Sequence, residues 1–438
     1  MYRFIIYLMA IMPCFAMANE LPAPVVDADY RHVDFAEAAL GQLLFYDPLL
    51  SGNKEVACAT CHHPRHGTSD GLSLGLGDGG VGLGPKRITD PDNMPEQRVP
   101  RNSPALFNLG AREFTVLFHD GRIGIDPTRP SGLRTPLDDD MTAGFASLLS
   151  AQTMFPVLSP DEMAGHYGEN DVSKAVRQGL ITGESGAWDI LARRVAGIEA
   201  YVDSFTAIYP HVDRANQIRF TDISNAVAAF MEFEWRSDTA PFDSFLRGKT
   251  VLSETATLGA ELFYGEAGCS GCHSGPFQTD HDFHAMATPQ IGPGKAARFE
   301  SHARDEGRFR VTGNPIDAYK FRTPSLRNVA MSAPYGHAGT FATLEAFVRS
   351  HLDPVAALGT YDVTQVVLPK FDVDDLRAMA DEADLAAIAA AVYTPPIALD
   401  EAQIATLLAF LDSLTDTAAM AGRLGVPASV PSGLLVQR

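Results

Sequence analysis

Two copies of one cysteine motif constrain this chain of 438 residues more than any other feature. The pattern Cys-x-x-Cys-His occurs at residues 58–62 and again at residues 269–273. It is typical of covalent haem c attachment, in which the two thiols bond to the vinyl groups and the adjacent histidine binds the iron. The predicted attachment residues are Cys58, Cys61 and His62 in the first copy, and Cys269, Cys272 and His273 in the second.

Two other uses of this motif are weaker alternatives. A redox-active dithiol needs no histidine after each cysteine pair, and a zinc site needs no repeated histidine spacing. The fifth cysteine, Cys14, lies near the amino terminus, outside both copies. The sequence therefore predicts two covalently bound haem c groups and leaves no further cysteine for a disulfide.

The sequence around each haem motif is also repeated, which indicates an internal duplication. Leu-Gly-x-x-Leu-Phe-Tyr precedes each motif, at residues 40–46 and 258–264, with apolar residues spaced as on a helix face. Pro-x-Leu-x-Asn follows at 104–108 and 324–328, and His-x-Gly at 119–121 and 337–339. We predict a mainly α fold with an N-terminal haem domain, residues 19–240, and a C-terminal one, residues 241–438. Helices at 226–235 and 403–414 are expected to close the two halves.

The first residues are typical of a secretory signal peptide. Arg3 precedes an apolar run at 4–12, and Ala16-Met17-Ala18 forms a cleavage site, so residues 1–18 are predicted to be removed on export. A lipoprotein anchor at Cys14 is disfavoured because Ile11-Met12-Pro13 is a poor lipobox. No later apolar run is long enough to span a bilayer, so we expect a periplasmic protein. A net charge of −20 disfavours nucleic acid and suits a basic partner.

From residue 40 to residue 414, the chain resembles the bacterial di-haem cytochrome c peroxidase and MauG family. The most specific matches are the haem motifs and residues 101–104, 152–163 and 322–339. The resemblance implies two cytochrome c-like domains with a calcium ion between the haems. It also implies reduction of hydrogen peroxide to water with electrons from a small cytochrome c or cupredoxin. MauG-like members instead use peroxide to oxidise residues of a partner protein.

By the same resemblance, the haem on His62 reacts with peroxide and the haem on His273 receives electrons. Glu162 matches the family's acid-base residue, and Gln152 and Pro156 match its companions in the peroxide pocket. A nearby acid-base group must take a proton from one peroxide oxygen and return it to the other. The alternative is that Glu162 only begins a helix, where an acidic side chain favours the dipole.

The resemblance also carries a calcium site onto Asn102, Ser332 and the carbonyl oxygen of Pro334, although the family usually has threonine where Ser332 stands. Amide and backbone oxygens suit calcium, which is a hard cation. The alternative is that Asn102 only forms a turn.

Two departures from the family concern the iron ligands. Leu76 stands where the peroxidases place a histidine that blocks the first iron, and leucine cannot ligate iron. The first site should therefore be open without prior activation. The second haem's distal ligand is methionine in the peroxidases and tyrosine in MauG, whereas the same offset here gives His351. Met286 and Met331 are competing ligands, and a lone histidine on an apolar helix face is often only a core residue.

A third departure concerns electron transfer between the haems. Family members hold a tryptophan in a Trp-Asp-Gly-Arg segment, but here the segment begins with His119. Trp188 and Trp235 lie elsewhere in the chain, so this segment lacks the tryptophan of the usual relay.

These features predict a periplasmic di-haem peroxidase. The first alternative is a MauG-like enzyme that oxidises a partner protein, which the missing histidine at Leu76 favours. A non-catalytic di-haem electron carrier would need six ligands on both irons, and no ligand is evident near Leu76.

Overall fold

The computed structural model describes residues 21–138, 144–296 and 298–438, without the side chain of Asn216. The predicted signal peptide, residues 1–18, lies outside the described residues. Within the described part, no helix is both long and apolar enough to cross a membrane.

The fold is mainly helical, as the sequence predicts. The helices are α1 (Phe35–Phe45), α2 (Cys58–Cys61), α3 (Leu148–Thr153), α4 (Asp171–Arg177), α5 (Ala187–Ala196), α6 (Glu199–Ile208), α7 (Phe220–Glu234), α8 (Pro241–Leu246), α9 (Glu254–Tyr264), α10 (Phe309–Thr312), α11 (Leu344–Leu352), α12 (Pro354–Gly359), α13 (Glu382–Ala390), α14 (Glu401–Asp412) and α15 (Thr417–Ala421). The strands are β1 (Gly80–Val81), β2 (Ile88–Thr89), β3 (Val116–Leu117), β4 (Ile123–Ile125), β5 (Leu133–Arg134), β6 (Phe283–His284) and β7 (Phe321–Arg322). They form the antiparallel sheets β1-β2, β3-β4-β5 and β6-β7.

Hydroxyl side chains cap the starts of two helices in the second half of the chain. The Ser253 hydroxyl accepts a hydrogen bond from the backbone N–H of Ala256 and caps α9. Thr343 caps α11 in the same way, through the N–H of Ala346. The predicted closing helices are confirmed as α7 and α14, although α7 begins six residues before the predicted start and α14 is shifted by two residues.

Each repeated Leu-Gly-x-x-Leu-Phe-Tyr segment crosses a closing helix at its glycine. A Cβ atom on Gly41 of α1 would overlap the carbonyl oxygen of Ala226 in α7. A Cβ atom on Gly259 of α9 would overlap the carbonyl oxygen of Thr406 in α14. Glycine is therefore required at both crossings, because only a missing side chain lets the two backbones approach so closely.

The aromatic residues that follow each glycine pack in matching geometry. Phe45 lies 5.2 Å from Phe230, at 54° between the ring planes. Phe263 lies 4.9 Å from Phe410, at 52°. Both crossings are thus built on the same contacts in the two halves of the chain.

Two asparagines connect the loops after the haem motifs to the ends of the closing helices. Asn108 and Asn328 both have a φ of 60°, in the left-handed region that asparagine tolerates. The N–H of Asn108 donates to the carbonyl of Trp235, and Asn108 Oδ1 accepts from the N–H of Ser237. Asn328 makes the corresponding pair of bonds with Leu414 and Asp416.

The two halves are interlocked. Arg101 donates two hydrogen bonds to Asp305, across the halves, and a third to Asp120. The residues after α14 return to the N-terminal half, where Val430 and Val436 pack in its hydrophobic core. The last residues of the chain therefore pack on the other side of the predicted boundary at residue 240.

We expect Gly259→Ala to lower the free energy of unfolding by roughly 1–3 kcal/mol, because overpacking forces α9 away from α14. The matched control is Gly359→Ala at the end of α12, where a Cβ meets nothing within 4 Å among the described residues. That change should be neutral or stabilise by about 0.4–1 kcal/mol. Thermal unfolding of the haem-loaded protein measures both effects, and equal melting temperatures for the two variants would contradict the prediction.

Candidate functional site

The two haem motifs lie in similar local structures. Cys58 and Cys61 lie on α2, Cys269 and Cys272 lie on a tight turn, and all four thiols are free of disulfides. Each motif histidine follows directly and is partly buried. Two free thiols beside a histidine are the donor set that haem c attachment needs.

The two motif histidines are oriented by the same kind of hydrogen bond. His62 Nδ1 donates to the carbonyl oxygen of Thr68 at 3.0 Å, and His273 Nδ1 donates to the carbonyl oxygen of Gln278 at 3.1 Å. Both accepting residues have positive φ, 62° and 49°, which turns their carbonyls toward the rings. A hydrogen bond at Nδ1 fixes the tautomer and directs the Nε2 lone pair outward, as in metal-ligating histidines. The residues present therefore fit two haem c groups.

The loop after the first motif packs against the segment that carries Glu162. Leu76 is fully buried, and a Cβ atom on Gly77 would overlap the backbone of Asp161 and lie 2.6 Å from Glu162 Cα. The Arg87 guanidinium donates to the carbonyls of Leu76 and Gly77 and so fixes this loop. The sequence pointed to Leu76 but not to Arg87. The hydrogen bonds of Arg87 go to backbone carbonyls, which leave no motif in the sequence.

Glu162 lies in a single π-helical turn, Pro160–Ala164, which begins after Ser159. Burial raises the pKa of Glu162, while the positive charges of Lys295 and Arg122 oppose this rise. The neighbouring Asp161 is instead paired, through Arg298 at 2.6 Å and the Gln97 amide at 2.7 Å. The carboxylate of Asp161 is thus bound by an arginine and an amide, whereas the carboxylate of Glu162 interacts electrostatically with Lys295 and Arg122.

Glu162 is also electrostatically close to the first haem motif. Burial raises the pKa of the Cys61 thiol to about 12, and the charges of Asp70 and Glu162 add to the rise. The predicted companions lie on the preceding turns, Gln152 in α3 and Pro156 at the start of the turn Pro156–Leu158. The turns of Pro156 and Glu162 are in contact, and Gln152 Oε1 is buried without a hydrogen-bond partner among the described residues.

Lys295 is a residue of this region that the sequence did not single out. Burial lowers its pKa to about 8, and the charges of Arg122 and Arg101 add to this effect. Glu162 acts in the opposite direction and stabilises the charged lysine. No motif contains Lys295, so only a tertiary contact reveals it.

The second haem motif faces His351 on α11. His351 Nδ1 donates to the carbonyl oxygen of Phe347 at 2.8 Å, an orientation that again leaves Nε2 for a ligand. Burial lowers the pKa of His273 to about 4, and the positive charge of His351 contributes next, so the two rings lie within electrostatic range of each other. Of the competing methionines, Met331 is 47% exposed and Met286 Sδ accepts a hydrogen bond from Thr394.

His119 lies where the two halves meet. Its carbonyl oxygen accepts the N–H of Arg322 at 2.8 Å. Burial holds the pKa of His119 well below its usual range, and the charges of Arg101 and His337 lower it further. The His337 ring itself stacks on Phe321 at 3.8 Å. The contact between the halves thus contains two imidazole rings and the ring of Phe321.

The two tryptophans of the chain lie in the N-terminal core instead. Trp188 stacks on Phe220, and Trp235 packs between Phe45 and Phe230. The ring contacts of both tryptophans are therefore with phenylalanines of the N-terminal half.

The residues predicted for calcium lie near the contact between the halves. Asn102 is buried, its N–H donates to the carbonyl of His337 at 2.8 Å, and its Nδ2 donates to the carbonyl of Leu72 at 2.8 Å. The Ser332 hydroxyl donates to the carbonyl of Val329, and Pro334 follows shortly after. These oxygen-rich loops are compatible with a hard cation, and the site remains a prediction.

Comparison with known proteins agrees with this architecture. The family model for di-haem cytochrome c peroxidase matches residues 35–251. The methylamine utilization protein MauG of Methylorubrum extorquens is 29% identical over 319 residues, which cover 72% of this chain and 68% of that protein. The cytochrome c551 peroxidase of Pseudomonas aeruginosa is 26% identical over 367 residues, which cover 83% of each protein.

Solved structures share the fold. The diheme peroxidase BthA of Burkholderia thailandensis superposes with a TM-score of 0.58 at 20% identity, over 92% of this chain and 97% of that one. A MauG-like protein associated with microbial copper homeostasis gives a TM-score of 0.57 at 24% identity, over 96% and 99%. The chain belongs to the di-haem cytochrome c peroxidase family.

Proposed function

We propose that this protein is a periplasmic di-haem peroxidase that reduces hydrogen peroxide to two water molecules. The reaction consumes two protons and two electrons, which a small c-type cytochrome or a cupredoxin supplies. The observation that carries the proposal is the position of Glu162, which is adjacent to the Leu76 loop and within electrostatic reach of Cys61. Family membership supports the same activity.

Cys58, Cys61 and His62 would hold the haem at which peroxide reacts. Cys269, Cys272, His273 and His351 would hold the haem that receives electrons. The bound haems supply the redox chemistry. The protein itself would orient both motif histidines through Nδ1 and place an acid-base group beside the open coordination position of the first iron. Leu76 would leave that position open, because its side chain has no atom that can bind iron.

The proton chemistry is assigned to Glu162. Its carboxylate takes the proton from the inner peroxide oxygen and returns it to the outer oxygen, which then leaves as water. Gln152 Oε1, which has no protein partner among the described residues, would accept a hydrogen bond from the peroxide. Pro156 would form part of the pocket wall, and as a proline it has no backbone N–H to donate there. Lys295 and Arg122 would favour the ionised form of Glu162 and so oppose the effect of its burial.

The two halves, residues 19–240 and 241–438, are proposed to be cytochrome c-like domains related by duplication. The matching contacts at Gly41 and Gly259, and the shared backbone conformation of Asn108 and Asn328, support this origin. If the two halves had arisen independently, both the glycine at the helix crossing and the hydrogen bonds of the asparagine would have had to arise twice.

A calcium ion bound by Asn102, Ser332 and the Pro334 carbonyl is proposed as a support for the contact between the halves. Asn102 connects the loop after the first motif to His337 in the second half. Removal of calcium by a chelator should therefore impair electron transfer between the haems more than haem attachment itself.

A MauG-like oxidation of a partner protein is the second candidate. Two observations favour it: Leu76 cannot block the first iron, and His351 stands where the peroxidases have methionine. Stopped-flow spectroscopy of the diferric protein with peroxide, followed by reduced cytochrome c, separates the candidates. Rapid reoxidation of cytochrome c supports the peroxidase, whereas a peroxide reaction with no turnover of cytochrome c favours the partner-oxidising enzyme.

We expect the oxidised protein as isolated to contain one high-spin and one low-spin haem, because Leu76 offers no sixth ligand and His351 does. Electron paramagnetic resonance measures the two spin states directly. The matched variant is Leu76→His, which should convert the high-spin signal to a second low-spin signal. Two low-spin haems in the unaltered protein would contradict the prediction and would favour a non-catalytic electron carrier.

A further inference from the structure

A second cluster of ligand-type side chains lies behind the Leu76 loop. Asp78, His166 and Glu169 each place one donor atom within 4.8 Å of the other two. Asp78 is 1% exposed and His166 is 7% exposed, whereas Glu169 faces solvent. The three residues belong to neither haem motif and to none of the residues predicted for calcium.

His166 provides independent evidence that a ligand is missing. Both ring nitrogens are buried without a hydrogen-bond partner among the described residues. Outside the cluster, the carboxylate oxygen Oε2 of Glu96 lies 3.6 Å from His166 Nδ1, a distance that is too long for a hydrogen bond. A buried polar group without a partner is costly, so such a ring calls for an explanation.

The carboxylates of this cluster are held together by amides and not by cations. Asn53 Nδ2 donates to both oxygens of Asp78, at 3.1 and 3.2 Å, and to Glu169 Oε2 at 2.8 Å. Asn93 donates a further bond to Asp78. Burial raises the pKa of Asp78, and the negative charge of Glu169 raises it further. The described ion pairs include no lysine or arginine bound to either carboxylate.

At Gly165, the backbone passes close to the side chains of Asn53 and Glu169. Gly165 has a φ of 82°, and a Cβ there would lie 2.9 Å from Asn53 Nδ2 and 2.9 Å from Glu169 Oε2. The N–H of His166 donates to Glu169 Oε2 at 2.8 Å, which fixes the position of that carboxylate. The donor atoms are therefore pre-positioned, and the exposed Glu169 leaves a path for an ion to enter.

We propose that Asp78, His166 and Glu169 bind one divalent transition-metal ion, with Zn²⁺ as the best match. One imidazole and two carboxylates form a three-ligand set that Zn²⁺ accepts, with water in the fourth position. The ion would neutralise two adjacent carboxylates and give the His166 ring its partner. It would also connect the loop that carries Leu76 to the segment that carries Glu162, and so brace the wall of the peroxide pocket.

Isothermal titration with Zn²⁺ tests the proposal on the chelator-treated, haem-loaded protein, with metal content checked by mass spectrometry after desalting. We expect one tight equivalent of zinc, and at least about a tenfold loss of affinity in His166→Gln and in Glu169→Gln. The matched control is His211→Gln. It removes a histidine outside the cluster that lies 3.0 Å from the carboxylate of Asp222, and this variant should still bind one equivalent of zinc.

Haem content and circular dichroism show whether each variant folds, and the exposed position of Glu169 makes its variant the safer of the two. A protein without a tight zinc equivalent would overturn the proposal, as would His166→Gln and Glu169→Gln variants that bind zinc as tightly as the unaltered protein. Displacement of zinc by excess Ca²⁺ would overturn the choice of metal. Because the readout is metal binding and not peroxide turnover, failure here leaves the proposed peroxidase function intact.

Discussion

Replacing Glu162 by glutamine is expected to slow the reaction with peroxide by roughly 10²–10⁴-fold, the usual effect of removing a general acid-base group. Glutamine keeps the size and the hydrogen-bonding capacity of the side chain but cannot take up and return a proton. Both haems should stay attached, because the change leaves the cysteines and axial histidines intact. Single-turnover stopped-flow absorption of the diferric protein with peroxide measures the rate constant.

The control for this variant is Asp161→Asn, one residue earlier in the same turn. Asp161 is paired with Arg298 and with the Gln97 amide, so its loss should affect stability but change the peroxide rate little. Near wild-type rates in Glu162→Gln would reassign Glu162 to a structural role at the start of the turn.

The pH dependence of the same rate adds a second test of Glu162. Its carboxylate must be ionised to accept a proton, and burial raises its pKa. Protonation therefore persists to higher pH than for an ordinary glutamate, so the rate should rise with pH through this raised pKa and level off above it. The Glu162→Gln variant should lose this acidic limb.

Replacing His351 by methionine is expected to raise the reduction potential of the second haem. If His351 is the distal ligand, that haem carries two imidazoles, which stabilise ferric iron relative to a methionine-ligated haem. Axial ligands tune haem potentials over about 0.8 V, so the effect of this exchange should be large compared with the error of a redox titration. The variant should also gain the near-infrared charge-transfer band of methionine-ligated ferric haem.

The structure supplies both the reason for this expectation and its control. His351 Nδ1 is bound to the Phe347 carbonyl, and the ring is close enough to His273 to influence its pKa. Met331→Leu removes the more exposed competing ligand and should leave the potential and spectrum unchanged. An unaltered titration and near-infrared spectrum in His351→Met would exclude His351 as the ligand and would direct attention to Met286.

A higher potential should also change what the enzyme does. With two imidazoles, the second haem would be reduced poorly by a high-potential donor and would better stabilise an oxidised equivalent, as a partner-oxidising enzyme requires. His351→Met should therefore increase turnover with reduced cytochrome c. Steady-state oxidation of cytochrome c by peroxide measures this shift between the two candidate functions.

The sequence by itself determined the features that depend on short spacing along the chain. The two Cys-x-x-Cys-His motifs, the caps at Ser253 and Thr343 and the mainly helical content are all local, because a helix or an attachment motif is defined by residues a few positions apart. The repeated glycines could also be aligned from sequence. Their physical reason, the crossing of α1 on α7 and of α9 on α14, is visible only in three dimensions.

The tertiary structure alone decided which distant residues share a site. Lys295 approaches Glu162, Arg87 fixes the Leu76 loop, and His166 meets Asp78, although none of these pairs has a characteristic spacing. Likewise, the last residues of the chain enter the N-terminal core, which no composition or periodicity indicated. Such contacts arise from how helices and loops pack around common cores, so burial, charge and unpaired polar atoms become readable only once the chain is folded.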